Sequence, residues 1–149
     1  MIIVYFLLAV SLSIIFALLE IQIEGKNGWA SALPTWKFYR SWFKYIPGGN
    51  KPITGYHTFL WIFIFLYAHV SFLFASWSIG KEALIVSFVM LVLRLEDFLW
   101  FVFNPNYGLK KFKKGFIPWH KNWLGPLPIQ YYTSITVWIL LFIFAIFKL

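Results

Sequence analysis

Apolar residues fall along the chain in four long runs, separated by two long connections and one short turn. The first run, residues 2–23, has no charge before Glu20, and Glu20 and Glu24 then lie four residues apart on one helical face. No basic residue precedes this run and no small-residue cleavage pattern follows it, so it is expected to be a retained span, not a signal peptide. The second run, residues 55–77, starts after Thr54, which suits a helix N-cap. A short turn at Gly80-Lys81-Glu82 leads into the third, residues 83–103, which Asn104-Pro105 closes because proline cannot continue a helix. The fourth, residues 128–147, opens on Pro128 and stays polar through Gln130, Tyr131, Tyr132, Thr133, Ser134 and Thr136. Each run has the roughly 20 residues a helix needs to cross a bilayer.

The connections have their own patterns. Across residues 36–45, Lys37, Arg40, Ser41 and Lys44 recur at helical spacing, with Trp36, Tyr39, Trp42 and Phe43 on the other side. That predicts a short helix lying in the membrane interface, rings at headgroup depth and basic groups toward water. The second connection carries Lys110, Lys111, Lys113 and Lys114, then Trp119-His120 and Trp123.

Composition strengthens the membrane reading. The chain has 149 residues, of which 61% are hydrophobic, 23% aromatic and 12% charged, too apolar for a soluble domain of this length. The expected fold is therefore an all-α integral membrane protein: one domain, a four-helix transmembrane bundle with two long connections. The absence of cysteine excludes disulfides, thiolate catalysis and Cys-ligated metal. The net charge of +8 could suggest nucleic acid, but in so apolar a chain basic residues read as topology signals. Both connections fall on one side and hold ten basic residues, from Lys26 to Lys51 and from Lys110 to Lys121, against Lys81 and Lys148 opposite. The positive-inside rule places that side in the cytoplasm and both termini outside.

Charges inside a span are costly, so Arg94, Glu96 and Asp97 in the third run demand a reason. Glu96 and Asp97 lie about 11 Å from the end of their helix nearest the connections. Glu20, Glu24, His57 and His120 belong to that same end. Carboxylates and imidazoles from separate helices suit a divalent metal such as Zn, Fe or Mn, and the expected ligands are Glu20, His57, Glu96 and His120. Asp97 or Glu24 would be an alternate ligand or orient a histidine. Glu96, Asp97 and His120 are the candidate catalytic groups. Arg94 and the four lysines Lys110, Lys111, Lys113 and Lys114 are the candidate substrate-binding groups, the lysines also drawing anionic lipid headgroups. In a plainer reading Arg94 simply pairs with Asp97, Glu20 and Glu24 sit at the headgroups, and His120 lies on the surface. No familiar motif spacing supports the metal site. His57 and His69 lie roughly 18 Å apart along one helix and cannot share an ion. His69 reads as a hydrogen-bonded core histidine, and no second histidine at its depth supports haem ligation.

Three functions follow as expectations. One is a metal-dependent enzyme or binding protein acting on a lipid-like amphiphile. Another is a proton- or ion-translocating protein in which Glu96, Asp97 and His69 relay charge across the bilayer. The third is a structural subunit of a larger membrane complex. Membrane lipids, and an oligomeric or membrane partner, are the expected associates, and nucleic acid is not.

Overall fold

The structure, a computed structural model, describes residues 2–39 and 51–149. It is mostly helical, with long helices α1 (Ile2–Glu24), α2 (Gly55–His69), α3 (Ile79–Phe103) and α5 (Ile129–Lys148), and a single turn α4 (Gly108–Lys111). Two-residue strands β1 (Lys37–Phe38) and β2 (Ile53–Thr54) pair antiparallel, Lys37 opposite Thr54; β3 (Trp123–Leu124) and β4 (Leu127–Pro128) do the same, Trp123 opposite Pro128. Among the described residues three helices are long and apolar enough to cross a membrane: α1, α5 and α2 with its 3-10 extension to Leu73. Helix α3 is longer, but Lys81, Glu82, Arg94, Glu96 and Asp97 lower its apolar content.

Helix α3 is the common neighbour, packing against α1, α5 and α2. On α1 the buried residues Tyr5, Ala9, Ser13 and Ala17 recur every four positions. Small side chains in such a row let two helix backbones approach closely. Ser13 Oγ donates across the contact to the carbonyl of Val92 at 3.1 Å. Further along, Tyr5 and Ser87 share a hydroxyl hydrogen bond of 3.0 Å, and Trp138 Nε1 donates to the Tyr5 hydroxyl at 3.2 Å, so polar links join α1, α3 and α5. At the other end Asn104 Nδ2 donates to the carbonyl of Gly25 at 3.0 Å, tying the ends of α3 and α1 together.

Several boundaries differ from the sequence reading. The interfacial helix expected over residues 36–45 is replaced at Lys37–Phe38 by strand, because these residues pair with Ile53–Thr54; residues 40–45 of that expectation lie outside the described residues. The second span, expected to reach residue 77, leaves α-helical geometry at His69 and tightens into a 3-10 turn ending at Leu73. Helix α3 starts four residues earlier than expected because Ser78 caps it, its hydroxyl accepting the Lys81 N–H at 3.2 Å. Gly80 is therefore a helical residue, and a Cβ there would meet the Lys148 carbonyl oxygen at 2.6 Å. Thr54 caps α2 as expected, its hydroxyl oxygen accepting the His57 N–H at 3.2 Å. Such a cap contributes about 1 kcal/mol.

Candidate functional site

At the end where α1 and α3 finish and α2 and α5 begin, the helices enclose a cavity of about 240 Å³. Helix α1 contributes Phe16, Glu20 and Glu24, and α3 contributes Arg94, Glu96, Asp97 and Trp100. His57 and Trp61 enter from α2 and Gln130 from α5, while Trp29, Lys51 and Trp119 come from the connections.

Two carboxylate–imidazole pairs are built alike. His57 Nε2 lies 3.5 Å from Glu24 Oε1, and the His57 Nδ1 is 2.7 Å from the Thr54 hydroxyl. The carboxylate only accepts, which puts the imidazole proton on Nε2 and leaves Nδ1 to accept from that hydroxyl, which itself accepts the His57 backbone N–H. In the second pair His120 Nε2 lies 3.6 Å from Asp97 Oδ2, and Gln130 Nε2 donates to His120 Nδ1. A carboxylate only accepts, which sets the same tautomer at His120. Asp97 also receives the Tyr131 hydroxyl and sits 3.5 Å from Arg94 Nη1.

Between these pairs the carboxyls of Glu20 and Glu96 interact across α1 and α3. The Tyr56 hydroxyl donates to Glu20 at 3.3 Å. Glu96 Oε2 accepts the Asp97 backbone N–H. Among the described residues Glu96 Oε1, Trp100 Nε1, Arg94 Nε and His120 Nε2 are buried without a hydrogen-bond partner. Such groups cost about 1–3 kcal/mol each unless something satisfies them.

The connections roof this end. Trp29 stacks on His57, ring centroids 4.0 Å apart, and its Nε1 donates to the Pro52 carbonyl at 2.9 Å. Lys51 Nζ lies 3.3 Å from the centre of the Trp29 ring, and burial lowers its ammonium pKa to about 8. From the second connection Ile117 joins Ala17, Trp100 and Phe101 in a buried cluster, with Trp119 packed against it.

Of the residues singled out from sequence, Glu20, Glu24, His57, Arg94, Glu96 and Asp97 all line this one cavity. His120, which could have been a surface residue, is buried and faces Asp97 from behind it. The histidines and carboxylates nevertheless meet in twos: no group of three His, Asp or Glu among the described residues lies close enough to hold a metal ion. Lys110, Lys111, Lys113 and Lys114 are exposed and do not line the cavity. His69 is at the opposite end of α2, partly exposed, with Nε2 2.9 Å from Glu82 Oε1. Sequence reasoning missed Lys51, counted only as a topology charge, and Gln130, whose signal was an early polar position in an apolar run. Comparison of the chain with protein-family models, curated proteins and solved structures gave no match.

Proposed function

We propose that the chain is a four-helix membrane protein whose cavity receives the polar group of an amphiphile from the surrounding bilayer. The cavity end would face the cytoplasm and both termini the outside, in keeping with the ten-to-two bias of basic residues. The observation that carries the reading is the convergence of Glu20, Glu24, His57, Glu96 and Asp97 from three helices on one partly roofed space. Placing so many ionisable groups below a membrane surface is expensive, and their usual reason is a ligand or reaction. The Glu24–His57 pair and the Asp97 carboxylate, which His120 holds from behind, line the cavity and equip it for general acid–base chemistry on the bound group. The exposed lysines 110, 111, 113 and 114 would anchor this end to anionic headgroups at roughly 1 kcal/mol per residue.

The test is to purify the protein in mild detergent and analyse its organic extract and its metal content together. A stoichiometric amphiphile is expected in the wild type and His69→Ala, and its loss in Glu96→Ala. Retention unchanged by Glu96→Ala, or no amphiphile above bulk lipid, overturns the reading. Stoichiometric metal that both Glu96→Ala and His120→Ala remove would instead favour the metal-dependent form of the site.

A further inference from the structure

Below the polar cavity the molecule has a second, larger recess of about 700 Å³, lined almost wholly by apolar side chains. It lies between α1 and α2 and is floored by α3: Leu8 and Leu12 form one wall, Phe63 and Ala68 the other, and Phe88 and Val92 the floor. Phe16 and Ile64 line both spaces, so the groove runs directly into the cavity. Its α1 wall extends from Val4 to Phe16. Twelve residues of helix span about 18 Å, slightly more than half of a hydrocarbon core roughly 30 Å thick. Polar space at the helix ends and one leaflet's depth of apolar groove together have the shape of a single membrane amphiphile.

We infer that the groove holds the hydrocarbon chain of a single-chain amphiphile whose uncharged, hydroxyl-bearing head occupies the cavity. This deepens the function proposed above and rests on it for the head. The chain enters sideways, because α1 and α2 both pack on α3 and the space between them faces the bilayer side of the helices. The head's chemistry follows from the unpartnered atoms. Of the cavity-lining atoms without a hydrogen-bond partner, Trp100 Nε1 and Arg94 Nε need an acceptor and Glu96 Oε1, beside the Glu20 carboxyl, has room for a donor; Glu96 and Trp100 are both more than nine-tenths buried. Glu96 and Trp100 sit one turn apart on the same face of α3. A hydroxyl has one proton to donate and two lone pairs to accept with, which matches one acceptor and two donors. A carboxylate or phosphate head accepts only, so it has no proton to offer Glu96 Oε1, and it would have to compete with Asp97 for Arg94.

The experiment uses hexadecanol carrying a diazirine at the far end of its chain, added to the full-length protein in phosphatidylcholine nanodiscs and photolysed. Labelled peptides from α1, α2 and α3 around the groove are expected, competed by plain hexadecanol and far less by hexadecanoate. Ala68→Trp on α2, or Leu8→Trp on the half-exposed face of α1, fills the groove and is expected to abolish that labelling. Trp100→Phe removes a single donor and is expected to weaken competition by about five-fold. If hexadecanol still competes in a Trp100-dependent way but neither groove variant alters labelling, the groove assignment falls while the cavity reading stands. If groove labelling persists with no dependence on Trp100 or Glu96, the head assignment and the function proposed for the cavity fall together. Equal competition by hexadecanoate overturns the uncharged head.

Discussion

Oε1 of Glu24, at the end of α1, faces Nε2 of His57 at 3.5 Å and also accepts the backbone N–H of Ala30. One carboxylate thus joins α1, α2 and a turn in which Trp29 and Ala30 hold φ of +46° and +48°. Left-handed geometry costs an L-residue roughly 1–2 kcal/mol, so that turn needs an external hold. Glu24→Ala removes it and leaves a buried N–H bare, and is expected to lower stability by about 2–3 kcal/mol. Glu24→Gln keeps an acceptor and should lose clearly less. Thermal unfolding in detergent distinguishes the two.

The two glycines after α1 should differ in the same assay. Gly25 and Gly28 both have φ near +60°, but a Cβ on Gly25 meets nothing within 4 Å, whereas on Gly28 it would run into Trp119 and lie 2.9 Å from Trp100. Gly25→Ala is expected to cost about 1 kcal/mol of backbone strain. Gly28→Ala should cost more, displace the tryptophans that roof the cavity, and shift their fluorescence.

Lys51 gives a pH signature. Its ammonium pKa drops from 10.5 to about 8 on burial, so between those values the folded chain binds fewer protons at this site than the unfolded chain. Stability contributed through Lys51 therefore rises with pH across that window and is flat below it. The difference in melting temperature between wild type and Lys51→Met should drift in favour of the wild type from pH 8 toward pH 10. A difference that is constant with pH would contradict the burial of this amine.

His69 separates cavity chemistry from transport. It pairs with Glu82 at the far end of α2, and the apolar groove lies between that pair and the cavity. His69→Ala is expected to leave amphiphile retention unchanged and to alter no proton flux in liposomes. Loss of flux in that variant would favour translocation.

The long helices were legible in the sequence because membrane-length apolar runs and their caps are local signals. Thr54 and Asn104 mark helix ends at the positions their chemistry suggests. Helix rise alone puts Glu20, His57 and Glu96 at one level, and all three line one cavity. What escaped was long-range. Nothing local tells Lys37–Phe38 to be strand, since the strand exists only through pairing with Ile53–Thr54. Nor does spacing reveal that His57 faces Glu24 and His120 faces Asp97, leaving Glu20 and Glu96 to each other, which is why the expected set of Glu20, His57, Glu96 and His120 does not converge on one point.

The packing of α1 on α3, with α2 to one side, also constrains how the protein is made. When the first two helices have entered the bilayer, Ser13 has yet to meet the carbonyl of Val92 and Tyr5 has yet to meet Ser87, because both partners lie on α3. The first hairpin, linked at one end by Glu24–His57 and Tyr56–Glu20, must wait for the rest of its contacts until a helix some 80 residues downstream of its start is synthesised. Assembly thus follows insertion as a separate step. A ribosome stalled before residue 79 would leave α1 and α2 in the membrane without the helix on which both pack, exposed to quality-control proteases.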